Sequence, residues 1–145
     1  AGKGPFVRRK DSRRLAKKIV DKLGIVTPGI DVPVRRLSGG NVQKVLLGRE
    51  IESQPNVLIT AYAVRGLDIN SSYVVYDALN EQKKNGVGIL FVGEDLDVML
   101  ELCDRIMVLC HGRVTGIVDA RTAKKEQLGM MMTDAAEVKK NGTEN

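Results

Sequence analysis

Two short, mainly apolar runs at residues 57–60 and 87–92 flank a helical stretch at 71–84, and this alternation limits the chain to one class of architecture. Runs of that length with no regular polar alternation read as buried strands, of the kind that pair in parallel beneath covering helices. A first helix is expected over 12–23, with Asp11 or Ser12 as its cap and Gly24 ending it in a left-handed turn. Its buried stripe is Leu15, Ala16, Ile19, Val20 and Leu23. A loop with Pro28, Gly29 and Pro33 leads to a second helix that opens at Ser38 and stops near Ser53, before Pro55. The helix at 71–84 presents Val74, Val75, Ala78 and Leu79 and stops at Asn85-Gly86. Beyond the second run come a short helix at 96–103 and two strands at 105–109 and 114–118, joined by a His111-Gly112 turn. A last helix at 123–132 uses its methionines as core filler. The expected fold is therefore α/β: a layered sheet with parallel central strands, flanking helices and a C-terminal β-hairpin.

Composition narrows the functions open to such a fold. At 145 residues the chain is long enough for a core but short for a complete nucleotide-hydrolysing enzyme. Cys103, Cys110 and the single His111 supply neither a disulfide framework nor a tetrahedral metal set, so no metal site and a reducing, cytosolic setting are expected. No secretory signal and no bilayer-spanning apolar run is visible. The net charge of +5 gathers early, in Arg8, Arg9, Lys10, Arg13, Arg14, Lys17 and Lys18. Such a cluster suits nucleic acid or anionic lipid, but it equally forms the solvated face of the first helix, and that use is preferred. An aromatic content of 3% leaves few stacking platforms for single-stranded nucleic acid, which is not expected as a partner.

The segment Leu37-Ser38-Gly39-Gly40-Asn41-Val42-Gln43-Lys44 carries the chemistry. Two glycines at a helix start let a phosphate approach the backbone, Ser38 offers a hydroxyl, and the free N–H groups and dipole favour an anion. An ordinary N-cap at Ser38, with glycines easing the turn, accounts for the same residues.

The octapeptide resembles the signature motif of the ATP-binding-cassette ATPases, in the version with an Asn-x-Gln-Lys ending found in bacterial importers of sugars and nucleosides. The resemblance continues in Arg65-Gly66-Leu67-Asp68, similar to that family's D-loop, and in Asp104-Arg105-Ile106-Met107-Val108-Leu109 with Gly112-Arg113-Val114, similar to the strand and hairpin after its switch region. It covers residues 12 to 132, so that 1–132 is expected to be the C-terminal part of a cassette with a P-loop NTPase-type sheet, and 133–145 a polar, flexible tail. The resemblance implies that Ser38, Gly39 and Gly40 touch the γ-phosphate of ATP bound to a partner cassette. It places Gln43 at the same mouth, where a solvated surface amide fits as well. Gly66 and Asp68 are implied at the cassette interface, although Asp68 or Asn70 also suits the cap of the following helix.

The chain departs from the family where the chemistry is done. The family's Mg²⁺-holding aspartate and water-polarising glutamate fall on Ala61 and Tyr62, and its switch histidine falls on Glu94, for which a helix-capping role is the safer expectation. The phosphate loop G-x-x-x-x-G-K-[S/T] is missing, since Ala1-Gly2-Lys3-Gly4 does not match it. The resemblance thus implies a degenerate second cassette with no catalytic residues of its own. ATP and Mg²⁺ belong to the parent assembly and are not expected on this chain alone. Implied partners are the other cassette, in the same polypeptide, membrane permease subunits and, indirectly, a solute-binding protein, on the cytoplasmic side of the membrane. Self-association through uncovered strands is a further expectation. The competing readings are a scaffolding module with a cassette fold and no nucleotide contact, and a nucleic-acid-associated branch of the superfamily.

Overall fold

The computed structural model describes residues 9–133. Residues 1–4, the Arg8 end of the basic cluster and the expected tail beyond Thr133 lie outside the described residues. The chain divides into two compact units after Val92.

The first unit holds α1 (Arg9–Lys22), a 3-10 turn (Val34–Arg36), α2 (Gly39–Glu52), β1 (Val57–Ala61), α3 (Ile69–Lys84) and β2 (Gly88–Val92). β1, α3 and β2 form a β-α-β crossover, with the strands paired in parallel from Val57 against Gly88 to Ala61 against Val92. α3 ends as expected at Asn85, with Gly86 at φ +84°, and Gly24 at φ +55° follows α1. α1 begins a turn earlier than expected, so Asp11 and Ser12 lie inside it and neither is its cap. Ile19 and Leu23 are buried as foreseen, but Leu15 is exposed, because with Ala16 and Val20 it lines an open apolar groove of about 250 Å³ that the 25–37 segment borders. The cations of α1 are partly employed within the fold: Arg13 meets Asp31 at 2.6 Å, Lys18 meets Glu52 at 2.5 Å and Lys22 meets Glu81 at 3.0 Å. Each is an exposed or half-exposed pair that orients α1 and adds little stability.

The two parallel strands are covered on one face only. Leu58 is buried, whereas Val57, Ile59, Leu90 and Val92 are exposed, and the register sets Ile59 beside Leu90 and Ala61 beside Val92 on that open face. The expectation of fully buried strands is corrected accordingly: α3 packs on one side of the pair, and no described element of the unit covers the other.

The second unit holds α4 (Leu96–Leu102), β3 (Arg105–Cys110), β4 (Arg113–Asp119) and α5 (Lys125–Met132). The sequence expectation of a hairpin holds. His111 at φ +47° and Gly112 at φ +76° make a two-residue turn with both dihedrals left-handed, the twist that suits tightly joined antiparallel strands. Ile106, Val108 and Cys110 turn inward, toward the side on which α5 buries Leu128 and Met131. Gly116 leaves room for the end of the Met131 side chain. Met99 and Met131 are core residues, but Met130 and Met132 are exposed, because a helix of eight residues packed on one side presents only one stripe inward.

At the end of β4 Asp119 accepts from the Arg121 side chain at 2.9 and 3.1 Å and from its amide at 2.9 Å. These bonds hold its carboxyl down at about 2. A carboxyl depressed in the folded state contributes stability that is complete above its unfolded value near 3.8 and is lost as pH falls toward 2. The Asp119→Asn variant should therefore lose less stability than the parent chain between about pH 4 and pH 2. Urea midpoints followed across that range by circular dichroism measure the difference, and parallel curves would exclude a contribution from Asp119.

Candidate functional site

Ser38 stands at the N-cap of α2 with φ −62° and ψ 156°, and its Oγ accepts from the Asn41 amide at 3.4 Å and from Asn41 Nδ2 at 3.0 Å. Asn41 Oδ1 in turn accepts from the Val26 amide at 3.1 Å, so the start of the helix is tied back to the segment that follows α1. Nothing in the sequence pattern singled out Asn41 for this bridge. The amides of Gly39 and Gly40 have no acceptor among the described residues, as the first donors of any helix have none within it. The turn carrying Arg35 and Arg36 leads straight into this point and adds two exposed cations to the positive end of the helix dipole.

The two glycines differ in what they do. A Cβ on Gly40 would lie 2.8 Å from Leu67 Cδ2, so this glycine admits a side chain from the loop after β1. A Cβ on Gly39 would meet nothing within 4 Å, so nothing in the fold requires its bareness, and the space in front of it is open. Of the two glycines expected to let a phosphate approach, only Gly39 has no internal reason to be bare.

The loop after β1 begins at Tyr62, which takes φ +54° while its amide donates to the Val92 carbonyl at 2.8 Å, and the Arg65 guanidinium lies over its ring at 5.8 Å. Gly66 supplies the second left-handed residue, at φ +76°. Asp68 caps α3, accepting from the Ser71 amide at 2.9 Å. The Ser71 hydroxyl and amide hold its carboxyl below the usual carboxylate range, with a lesser contribution from the charge of Lys44. Asp68, and not Asn70, is therefore the cap.

Gln43 is neither solvated nor free. It is half-buried, and its Nε2 donates to the Arg65 carbonyl at 3.2 Å. Ser38, Gly39, Gly40, Gln43, Gly66 and Asp68 thus gather where the start of α2 meets the loop after β1. Glu94 belongs to the other unit. It is exposed in the bend before α4 and caps nothing: Asp95 is the cap, accepting from the amides of Asp97 at 3.0 Å and Val98 at 3.3 Å, because it is the residue immediately preceding the helix. β1 ends at Ala61 and the loop begins at Tyr62, a methyl and a phenol that offer no carboxylate to a metal. Among the described residues no group of three His, Cys, Asp or Glu side chains is placed to hold a metal ion, and no helix is long and apolar enough to cross a membrane.

No family model matches the chain. It is 41% identical over 115 residues to the xylose import ATP-binding protein of Moorella thermoacetica, an alignment covering 79% of this chain and 23% of that protein. It is 37% identical over 121 residues to the L-arabinose transport ATP-binding protein of Geobacillus stearothermophilus, covering 83% and 24%. With the galactose/methyl galactoside import ATP-binding protein of Escherichia coli the identity is 34% over 110 residues, covering 76% and 22%. The chain spans less than a quarter of the length of these relatives. Among solved structures, a dimeric bacterial ABC transporter cassette shares the fold with a TM-score of 0.71 at 20% identity, over 84% of this chain and 52% of that one.

Proposed function

The chain is part of an ATP-binding-cassette ATPase domain, and from that premise we propose that it presents the start of α2 to the phosphates of an ATP molecule held by a partner cassette. The observation that carries this reading is the open space at Gly39, on the first residue of a capped helix of 14 residues with Arg35 and Arg36 just before it. Orphaned amides, a helix dipole and nearby cations suit an anion, and the missing Cβ lets it come close. Ser38, Gly39 and Gly40 are the residues that fit the phosphate. When bound, ATP supplies the phosphoryl group; the work of this chain is to attract and orient it.

The end of β1 does not fit Mg²⁺. Ala61 and Tyr62 offer no carboxylate to hold the ion or to polarise water, so hydrolysis is not assigned to this chain. The proposed role is that of a degenerate second cassette in a bacterial importer of sugars or nucleosides. It works beside a hydrolysing cassette of the same polypeptide, on permease subunits at the cytoplasmic face of the membrane, with a solute-binding protein acting indirectly. The relatives named for xylose, arabinose and galactose import support a sugar as the solute. The open face at Ile59 and Leu90 supports self-association of this stretch when it stands alone.

A scaffolding role is the second reading, and one observation favours it: Ser38 and Asp68 both serve as helix caps. Calorimetry on this chain tests the first. Titration with Mg-ATP at cellular concentrations should give no saturable heat, and micromolar affinity would show that it holds a nucleotide by itself. The double variant Ala61→Asp, Tyr62→Glu should release no phosphate from ATP, because two restored carboxylates still lack the positioning and charge stabilisation that phosphoryl transfer needs. Steady release would refute the proposed dependence on a partner.

A further inference from the structure

The start of α2 and the loop after β1 are joined by contacts that the resemblance does not assign. Gln43 Nε2 donates to the Arg65 carbonyl, and Leu67, two residues further on, fills the place where a Cβ on Gly40 would stand. The loop closes around these points with its own bonds, from the Arg65 amide to the Tyr62 carbonyl and from the Leu67 amide to the Val64 carbonyl, each 3.1 Å. The Gln43 amide has one workable orientation. Its Oε1 is enclosed and accepts no bond from the described residues, and turning the group over would set that oxygen against the Arg65 carbonyl, two acceptors face to face. A buried acceptor without a donor opposes folding, so its presence beside the loop marks a side chain whose donor is what the site uses.

We propose that Gln43 is a positioning residue: it fixes the Arg65 carbonyl and, together with Leu67 against Gly40, makes the Ser38 end of α2 and the Asp68 loop move as one body. For its functional consequence this rests on the phosphate-contact reading, but the clamp can be measured without it. A displacement of Ser38 or Gly39 on meeting an anion is passed through Gln43 to the loop that ends in Asp68. Release of the Gln43 bond uncouples the two while leaving each cap intact.

Amide hydrogen exchange on this chain tests the clamp with two variants. Gln43→Met keeps length and bulk without a donor, and Gln43→Asn keeps the amide but stops one methylene short. Both should speed exchange of the Arg65 and Leu67 amides about fivefold, the size of one net hydrogen bond, and leave β1 and α3 unchanged. Wild-type exchange in Gln43→Met would mean that packing alone holds the loop, and the proposal would fall. In the full-length parent with its permease, Gln43→Met should lower kcat for ATP and leave KM unaltered, because the phosphate contacts remain. Faster exchange with unchanged turnover would leave the clamp standing and overturn its use in the phosphate-contact reading.

Discussion

Ser38→Arg is expected to lower ATP turnover by the full-length parent, assembled with its permease, by about 100-fold, the loss typical of removing a preorganised contact to a developing charge. On the proposed phosphate contact, so large an effect comes from one surface residue. Ser38 immediately precedes Gly39, where a Cβ would meet nothing within 4 Å, so a long arginine side chain has room to lie across the proposed phosphate contact. The same change removes the cap on the Asn41 amide, which costs about 1 kcal/mol of stability. Ser38→Ala loses the cap and the hydroxyl without adding bulk, and a thermal melt of both variants shows how much of the loss is folding. Unchanged turnover in Ser38→Arg would leave this domain a scaffold.

The second large effect concerns stability. A Cβ on Gly48 would lie 2.5 Å from Ile19 Cγ2 and 2.9 Å from Leu23 Cδ1, both on buried side chains, so this glycine sets how closely α1 and α2 approach. Gly48→Val should destabilise the first unit by about 3 kcal/mol, the upper range for overpacking in a core that cannot move aside. Gly48→Ala gains about 1 kcal/mol of helix propensity and should end about 1 kcal/mol below the parent chain. Chemical denaturation followed by circular dichroism reads both, and a Gly48→Val midpoint equal to that of the parent would mean that the two helices do not meet there.

What could be read from the sequence was local. Ser38 at its cap, Gly24 and Gly86 past their helix ends and the His111-Gly112 turn each depend on a residue and its immediate neighbours, and each is found as expected. The contacts that shape the candidate site are not of that kind. Gln43 reaches a carbonyl 22 residues away, and the reason for Gly40 is Leu67, a partner visible only once α2 lies beside the loop. The cap is Asp95 and not the expected Glu94, a difference of a single residue of register that two adjacent carboxylates do not disclose. Val57, Ile59, Leu90 and Val92 state a preference for burial but not what buries them. The family's motifs were recognisable because they are short and ordered.

The open side of β1 and β2 gives a protein engineer a place to work. Ile59 and Leu90 lie opposite each other and face water, so neither contributes much to holding this stretch of chain together. Threonine at both positions has the β-branched shape that strands favour while presenting a hydroxyl to solvent. Such a pair of changes separates solubility from folding, and it leaves the helix start at Ser38 available on a chain that can be concentrated, labelled and studied in solution.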